Sequence, residues 1–167
     1  QGKREAQFNL GLMYEMGQGV PQDEKQAVKW YRKAAEQGNS EAQYFLGHMY
    51  MKGRGVPQDD KQAVKWYRLA AEQGKREAQF NLGLMYEMGH GVPQDYVQAH
   101  MWVNLASANG DVETVKFRDR LAEEMTPQQL AEAHCEPIRG LGRYRPIEIQ
   151  RRPAFRLPTG ATSAHER

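Results

Sequence analysis

Residues 1–17 read QGKREAQFNLGLMYEMG, and residues 73–89 read the same, letter for letter. Midway between them, residues 37–53 read QGNSEAQYFLGHMYMKG. The stretches that follow repeat as well. They are GVPQDEKQAVKWYRKAAEQG from Gly19, GVPQDDKQAVKWYRLAAEQG from Gly55 and GVPQDYVQAHMWVNLASANG from Gly91. The period is 36 residues throughout. Self-similarity at such a period is the mark of stacked structural repeats, each too small to bury its apolar face alone.

Each unit predicts two helices. At about 100° per residue, Leu10, Met13 and Tyr14 fall on the same side as Ala6 and form one apolar stripe. Gly17 stands where a helix-terminating glycine belongs. A Gly- and Pro-rich connector follows, and Asp23 is a good N-cap for the second helix, as are Asp59 and Asp95. In that helix Ala27, Tyr31, Ala34 and Ala35 share a side, with Val28 and Trp30 at its edges. Gly38, Gly74 and Gly110 end it. In the middle unit the same pattern predicts Tyr50 as a core residue facing Ala42 and Leu46. Gly11, Gly47 and Gly83, with the alanines, allow close helix approach. Packing is the default role of such periodic positions.

These residues carry a family signature. The pattern Ala6, Leu10, Gly11, Tyr14, Gly17, Gly19, Val20, Asp23, Ala27, Trp30, Ala34, Ala35 and Gly38 resembles the Sel-one-like repeat, a relative of the tetratricopeptide repeats. The second unit matches closely, and the third departs at Val103 and Ser107. The resemblance covers roughly residues 1–135. It implies an all-α, right-handed α/α superhelical solenoid of 36-residue helix-turn-helix repeats acting as an adaptor for other proteins. In bacterial members it also implies a place at the envelope or at a host interface. The disulfide-stapled branch of the family has paired cysteines, whereas this chain has only Cys135.

The expected organisation is three repeats over 1–110, C-terminal capping helices over 111–136 and an Arg/Pro-rich tail over 137–167. Residues 111–125 keep the repeat register but lose its signature, as a capping helix would. Thr126, Pro127 and Gln129 announce a last short helix reaching about His134. Beyond Pro137 the helical pattern stops, and an extended or disordered tail is expected. The chain opens at a repeat boundary with no polar cap, which predicts a natural protein that extends upstream.

Charge follows this division. Of 23 Lys+Arg and 21 Asp+Glu, residues 1–137 hold 16 and 19, a net −3, while residues 138–167 hold seven Arg and two Glu, a net +5. A basic tail raises nucleic acid or lipid as an alternative anionic partner. The tail has no recognition motif and the body is mildly acidic, which argues against nucleic acid, and a membrane surface is weaker still because the tail is not an amphipathic helix. No stretch is apolar for long enough to span a membrane, and cysteine usage leaves cytosol and envelope both open. No HExxH, CxxC, GxSxG or phosphate-loop pattern occurs. His90 sits at the connector position of Gln18 and Arg54, a variable solvent site. His100 replaces Val28 and Val64. His134 and Cys135 are adjacent but have no implied orienting partner. No catalytic, cofactor or metal residue is assigned, and a non-enzymatic scaffold is expected.

Function should then lie on residues the stack does not need. Phe8, Leu12 and Glu15 lie about 180–240° from Ala6, and Asn9 and Glu5 lie beside them. The repeat turns these into the ladders Phe8/Tyr44/Phe80, Leu12/His48/Leu84, Glu15/Met51/Glu87, Asn9/Phe45/Asn81 and Glu5/Glu41/Glu77. By analogy with tetratricopeptide relatives these first helices line a concave groove. Such a groove would be aromatic with an acidic edge, suited to a protein or peptide carrying apolar and basic residues. The chain's own tail segment Arg151–Arg156 has that composition, so weak self-docking is expected. The competing reading is that Phe8 and Leu12 pack sideways on the neighbouring unit.

Overall fold

The computed structural model describes residues 2–133, 135–138 and 143–146. The expectations for His134 and for the tail beyond residue 146 lie outside the described residues.

Asp23 and its repeats set the helices. Its carboxylate accepts from the Lys25 and Gln26 amides at 2.9 and 3.1 Å, Asp59 caps Gln62 at 3.0 Å, and Asp95 caps Gln98 at 3.0 Å. Each satisfies amides that a helix start leaves without partners. The result is α1 (Gly2–Met16), α2 (Glu24–Glu36), α3 (Ser40–Lys52), α4 (Asp60–Glu72), α5 (Arg76–Met88) and α6 (Tyr96–Ala106). A 3-10 turn, Ser107–Asn109, leads into α7 (Val112–Glu123) and α8 (Pro127–Ala133). The connectors close each hairpin, since the Asp23, Asp59 and Asp95 amides donate to the carbonyls of Tyr14, Tyr50 and Tyr86 at 2.9–3.1 Å.

Helices pair within a unit as α1/α2, α3/α4 and α5/α6, and between units as α2/α3, α4/α5 and α6/α7. The result is a solenoid. The close approach inside each hairpin depends on glycine: a Cβ on Gly47 would stand 2.7 Å from the Tyr67 ring. Tyr31, Tyr67, Leu46, Met49, Leu82 and Trp102 are fully buried among the alanines of the second helices. Buried Gln43 and Gln79 donate to the carbonyls of Ala35 and Ala71 in the preceding unit, and Gln73 donates to Gln43 at 2.6 Å. These amides satisfy backbone groups at the junctions, where an unpaired group would be costly.

Two core assignments change. Ala42 and Ala78 are fully buried, but Ala6 and Met13 are exposed and Leu10 and Tyr14 half-buried. The inner stripes are covered by the second helix of the preceding unit, whereas α1 has α2 on one side only. Tyr50 is half-buried rather than core. Its ring bridges the two apolar clusters, and its hydroxyl accepts from Arg32 at 2.5 Å, while neighbouring Met49 takes the buried position.

The C-terminal helices do not continue the repeat. α8 packs against α6. Its start is a reciprocal capping box: Thr126 Oγ1 accepts from the Gln129 amide at 3.3 Å, and Gln129 Oε1 accepts from the Thr126 amide at 2.9 Å. Thr126→Ala should cost about 1 kcal/mol. The loss should show as faster amide exchange in α8 while α1–α6 keep their protection. Cys135–Ile138 (β1) and Arg143–Pro146 (β2) then form an antiparallel ribbon pairing Cys135 with Pro146 and Ile138 with Arg143.

Candidate functional site

The first helices α1, α3 and α5, followed by α7, present their second faces side by side. The ladders on these faces divide into residues used by the stack and residues left open. Phe8 is half-buried, with its ring centroid 5.8 Å from Tyr31 and 5.6 Å from Phe45. Leu12 packs at the edge of the same cluster. Phe45 fills the gap between α1 and α3 at the position that is Asn9 and Asn81 in the other units. Sideways packing therefore engages Phe8 and Leu12, while Asn9 is exposed.

Glu15 is tied into the structure. It accepts from the Tyr31 hydroxyl at 2.5 Å and from Arg54 at 2.9 Å, and Arg54 also reaches Glu24 at 2.8 Å. Burial, and then the Glu15 carboxylate, push the Tyr31 phenol far above its ordinary pKa. Met51 replaces Glu15 in the next unit, 3.8 Å from the Tyr67 hydroxyl. Glu87 instead binds Arg120 of α7 at 2.7 Å. His48, half-buried where the other units have Leu12 and Leu84, has its pKa lowered by burial and by Lys52 and Arg54.

The acidic row is largely paired. Glu5 meets Arg4 at 3.2 Å, and Lys75 sits between Glu41 at 2.8 Å and Glu77 at 3.2 Å. Burial pulls the Lys75 pKa down, but its hydrogen bonds to Glu41 and Glu77 leave it above the ordinary value. Glu77 is held below the usual range first by its own backbone amide and then by Lys75.

Four ladder residues do converge on open space. Tyr44 of α3 and Glu77, Phe80 and Asn81 of α5 line a cleft of about 440 Å³, closed on its far side by Ala106, Asp111 and Thr114. Tyr44 packs on Tyr67 at 5.9 Å and Phe80 on Phe117 of α7 at 5.4 Å, so both rings are backed by other rings and held in place. Arg76 also lines the cleft. Asp111 caps α7 by accepting from the Thr114 hydroxyl at 2.6 Å and the Thr114 amide at 3.0 Å. These bonds, aided by Arg76, hold its carboxyl below the usual range. The cleft therefore offers two aromatic faces, an amide, two carboxylates and one guanidinium. Sequence reasoning missed Arg76, Asp111 and Thr114. Asp111 and Thr114 belong to the capping helix, and their only signal is that of a helix start.

Among the described residues, no group of three or more His, Cys, Asp or Glu side chains stands ready to hold a metal ion, and no helix is long and apolar enough to cross a membrane.

A family model described as the Sel1 repeat matches residues 4–39, 40–75 and 76–111. The solved structure of c5321, described as a protective antigen of uropathogenic Escherichia coli strains displaying an SLR fold, is 41% identical with a TM-score of 0.70. The match covers 78% of this chain but only 28% of the c5321 chain, under a third of its length. A Sel1 repeat protein from Oxalobacter formigenes is also 41% identical, with a TM-score of 0.66, over 71% of this chain and 90% of that one. Helicobacter pylori cysteine rich protein B shares the fold at 22% identity and a TM-score of 0.56, over 68% of this chain and 92% of that one. A search among curated proteins finds no match. The solenoid is therefore the right-handed α/α superhelix of 36-residue repeats that the family resemblance implies. With three consecutive repeats matched, the chain belongs to the Sel1 repeat family, whose members serve generally as protein–protein interaction scaffolds and are typically non-catalytic.

Proposed function

We propose that the protein is a non-enzymatic scaffold whose first-helix groove binds an extended peptide or a protein loop. The cleft lined by Tyr44, Glu77, Phe80 and Asn81 is its anchoring point. The observation that carries this reading is the meeting of two ring-backed aromatics with Glu77 and Asp111 around about 440 Å³ of open space. Affinity in interfaces concentrates on buried aromatic anchors, while flanking charge sets selectivity. A ligand with an aromatic or aliphatic residue next to an arginine or lysine fits this arrangement. Asn9, Leu84, His48 and the paired glutamates Glu5 and Glu41 extend the surface along the array.

The tail sequence RYRPIEIQRRPAFRLP, residues 143–158, supplies a ready probe. Titrated into the full chain at low salt, that peptide should shift amide resonances of α3, α5 and α7. The double variant Tyr44→Ala, Phe80→Ala should weaken binding by about tenfold or more. Its melting curve, recorded alongside, separates loss of the anchor from loss of the fold. No saturable binding up to about 1 mM, a free energy weaker than roughly −4 kcal/mol, would end the proposal for ligands of this kind.

A further inference from the structure

The opposite side of the array carries a different chemistry. Lys25, Lys29, Arg32 and Lys33 stand exposed on α2, and Lys61 and Lys65 repeat the first two on α4. Among the described residues, none of these six side chains is in an ion pair, whereas most glutamates of the first-helix face are paired. Lys25, Lys29, Arg32 and Lys33 surround a hollow of about 430 Å³ that also reaches Val28 and Val56. Arg32 and Glu36 form the wall it shares with a second hollow of about 520 Å³, lined by Lys65, Tyr50 and Trp66. Trp66 is only 7% exposed, and its indole N–H finds no acceptor.

The third unit shows what such a face can carry. Its equivalents of Lys25, Lys29, Arg32 and Lys33 are Val97, Met101, Asn104 and Leu105, without a charge among them. Met101 is 2% exposed. α6 is also the helix against which α8 packs, a seven-residue helix whose sequence, PQQLAEA, holds one leucine, two alanines and one glutamate. A solvated lysine row needs no partner, but the third unit, whose second helix is the one in contact with α8, carries no charge at any of the four positions.

We propose that the α2–α4 face is a second docking site, for an acidic amphipathic helix laid along the lysine row. Its carboxylates would meet the lysines, and a small apolar side chain would reach Val28 and Val56. Lysines at spacings of four residues stand about 6 Å apart along the helix, a spacing that carboxylates on one face of a docked helix can match. Glu36 and Asp59 within the hollows, and the net −3 of residues 1–137, oppose a polyanion as dense as DNA. The recessed apolar floor is out of reach of a flat lipid surface. This site is independent of the first-helix groove and selects the opposite charge, so the array would hold two partners on opposite faces.

The test is titration of the full chain with a synthetic dodecapeptide repeating Glu-Leu-Ala-Glu, read by tryptophan fluorescence. Saturable binding that weakens with salt is expected, reduced about tenfold or more by Lys29→Glu with Lys33→Glu. Lys25→Gln with Lys65→Gln should give a smaller loss in the same direction. All four side chains are exposed, and an unchanged melting curve would confirm that the fold persists. Arg151→Glu with Arg152→Glu, in the basic tail, should leave binding unchanged. The proposal is overturned if the peptide fails to bind, if only the tail variant loses binding, or if a serine-for-leucine peptide binds equally well. Duplex DNA or anionic vesicles binding as tightly, with the same dependence on Lys29 and Lys33, would also overturn it in favour of a general polyanion surface.

Discussion

Replacing Tyr67 with alanine should destabilise the protein more than any other single truncation in the array, by about 3–5 kcal/mol. Tyr67 is fully buried on α4, its ring lies 2.7 Å from where a Cβ on Gly47 would stand, and it packs against Tyr44 at 5.9 Å. Alanines and a glycine make up much of its surroundings, and Tyr44 is held by its own packing, so the space it leaves is filled only in part. Tyr67 also belongs to the middle unit, which couples its two neighbours, and solenoid stability is roughly a sum of such nearest-neighbour terms. Against a typical stability of about 5–15 kcal/mol the loss is large, and the melting temperature should fall by on the order of 10 °C. Tyr67→Phe is the control. The hydroxyl has the Met51 sulfur at 3.8 Å, a weak contact, and a hydrogen bond with the Asn81 side chain, so removing the oxygen should cost about 1 kcal/mol, well below the alanine variant. Urea unfolding followed by circular dichroism measures both. A cost below about 1 kcal/mol for the alanine variant would contradict the burial assigned to this ring.

The period made the helices, their caps and their order legible, because those depend on residues a few positions apart. What depends on the stacking of units was harder to read. Arg54 stands at a connector position that varies as Gln18, Arg54 and His90, and so reads as a solvent residue. In the folded array it clamps Glu15 and Glu24 of the preceding unit, 39 and 30 residues away. Angular counting put Leu46, Met49 and Tyr50 on one stripe, but the neighbouring helices decide which of them is buried. Tyr50 reaches out to Arg32 and Met49 turns in. The aromatic ladder was visible as a face, yet counting along one helix cannot say that Phe45 would fill the space beside Phe8. The open cleft at Tyr44 and Phe80 owes its far wall to Asp111 and Thr114, which no repeat supplies. The ribbon of residues 135–138 and 143–146 was hidden by Pro137 and Pro146, which argue against strands in a sheet interior but are tolerated at an edge.

Gly55→Ala, like Gly91→Ala at the equivalent position, should be among the most damaging single-methyl changes, and Gly74→Ala measures why. Both glycines have positive φ, +67° at Gly55 and +87° at Gly74. A side chain in this left-handed region costs about 1–2 kcal/mol wherever it stands. At Gly74 nothing lies within 4 Å of the added carbon, so strain is the whole cost. At Gly55 the added carbon would stand 2.3 Å from the Glu24 carbonyl oxygen and 2.5 Å from its carbonyl carbon, both backbone atoms at the first residue of α2. Neither can swing away as a side chain would. The connector must therefore lift off α2, and Arg54, next in sequence, leaves Glu15 and Glu24. The expected cost is about 3–4 kcal/mol, near the upper end for point changes. Because the contact joins unit one to unit two, the loss should be local. Amides of α1 and α2 should exchange much faster while those of α5 and α6 keep their protection, as nearest-neighbour coupling requires. Equal costs for the two variants, or an even loss of protection along the array, would mean that the connector of each unit is not seated on the helix before it.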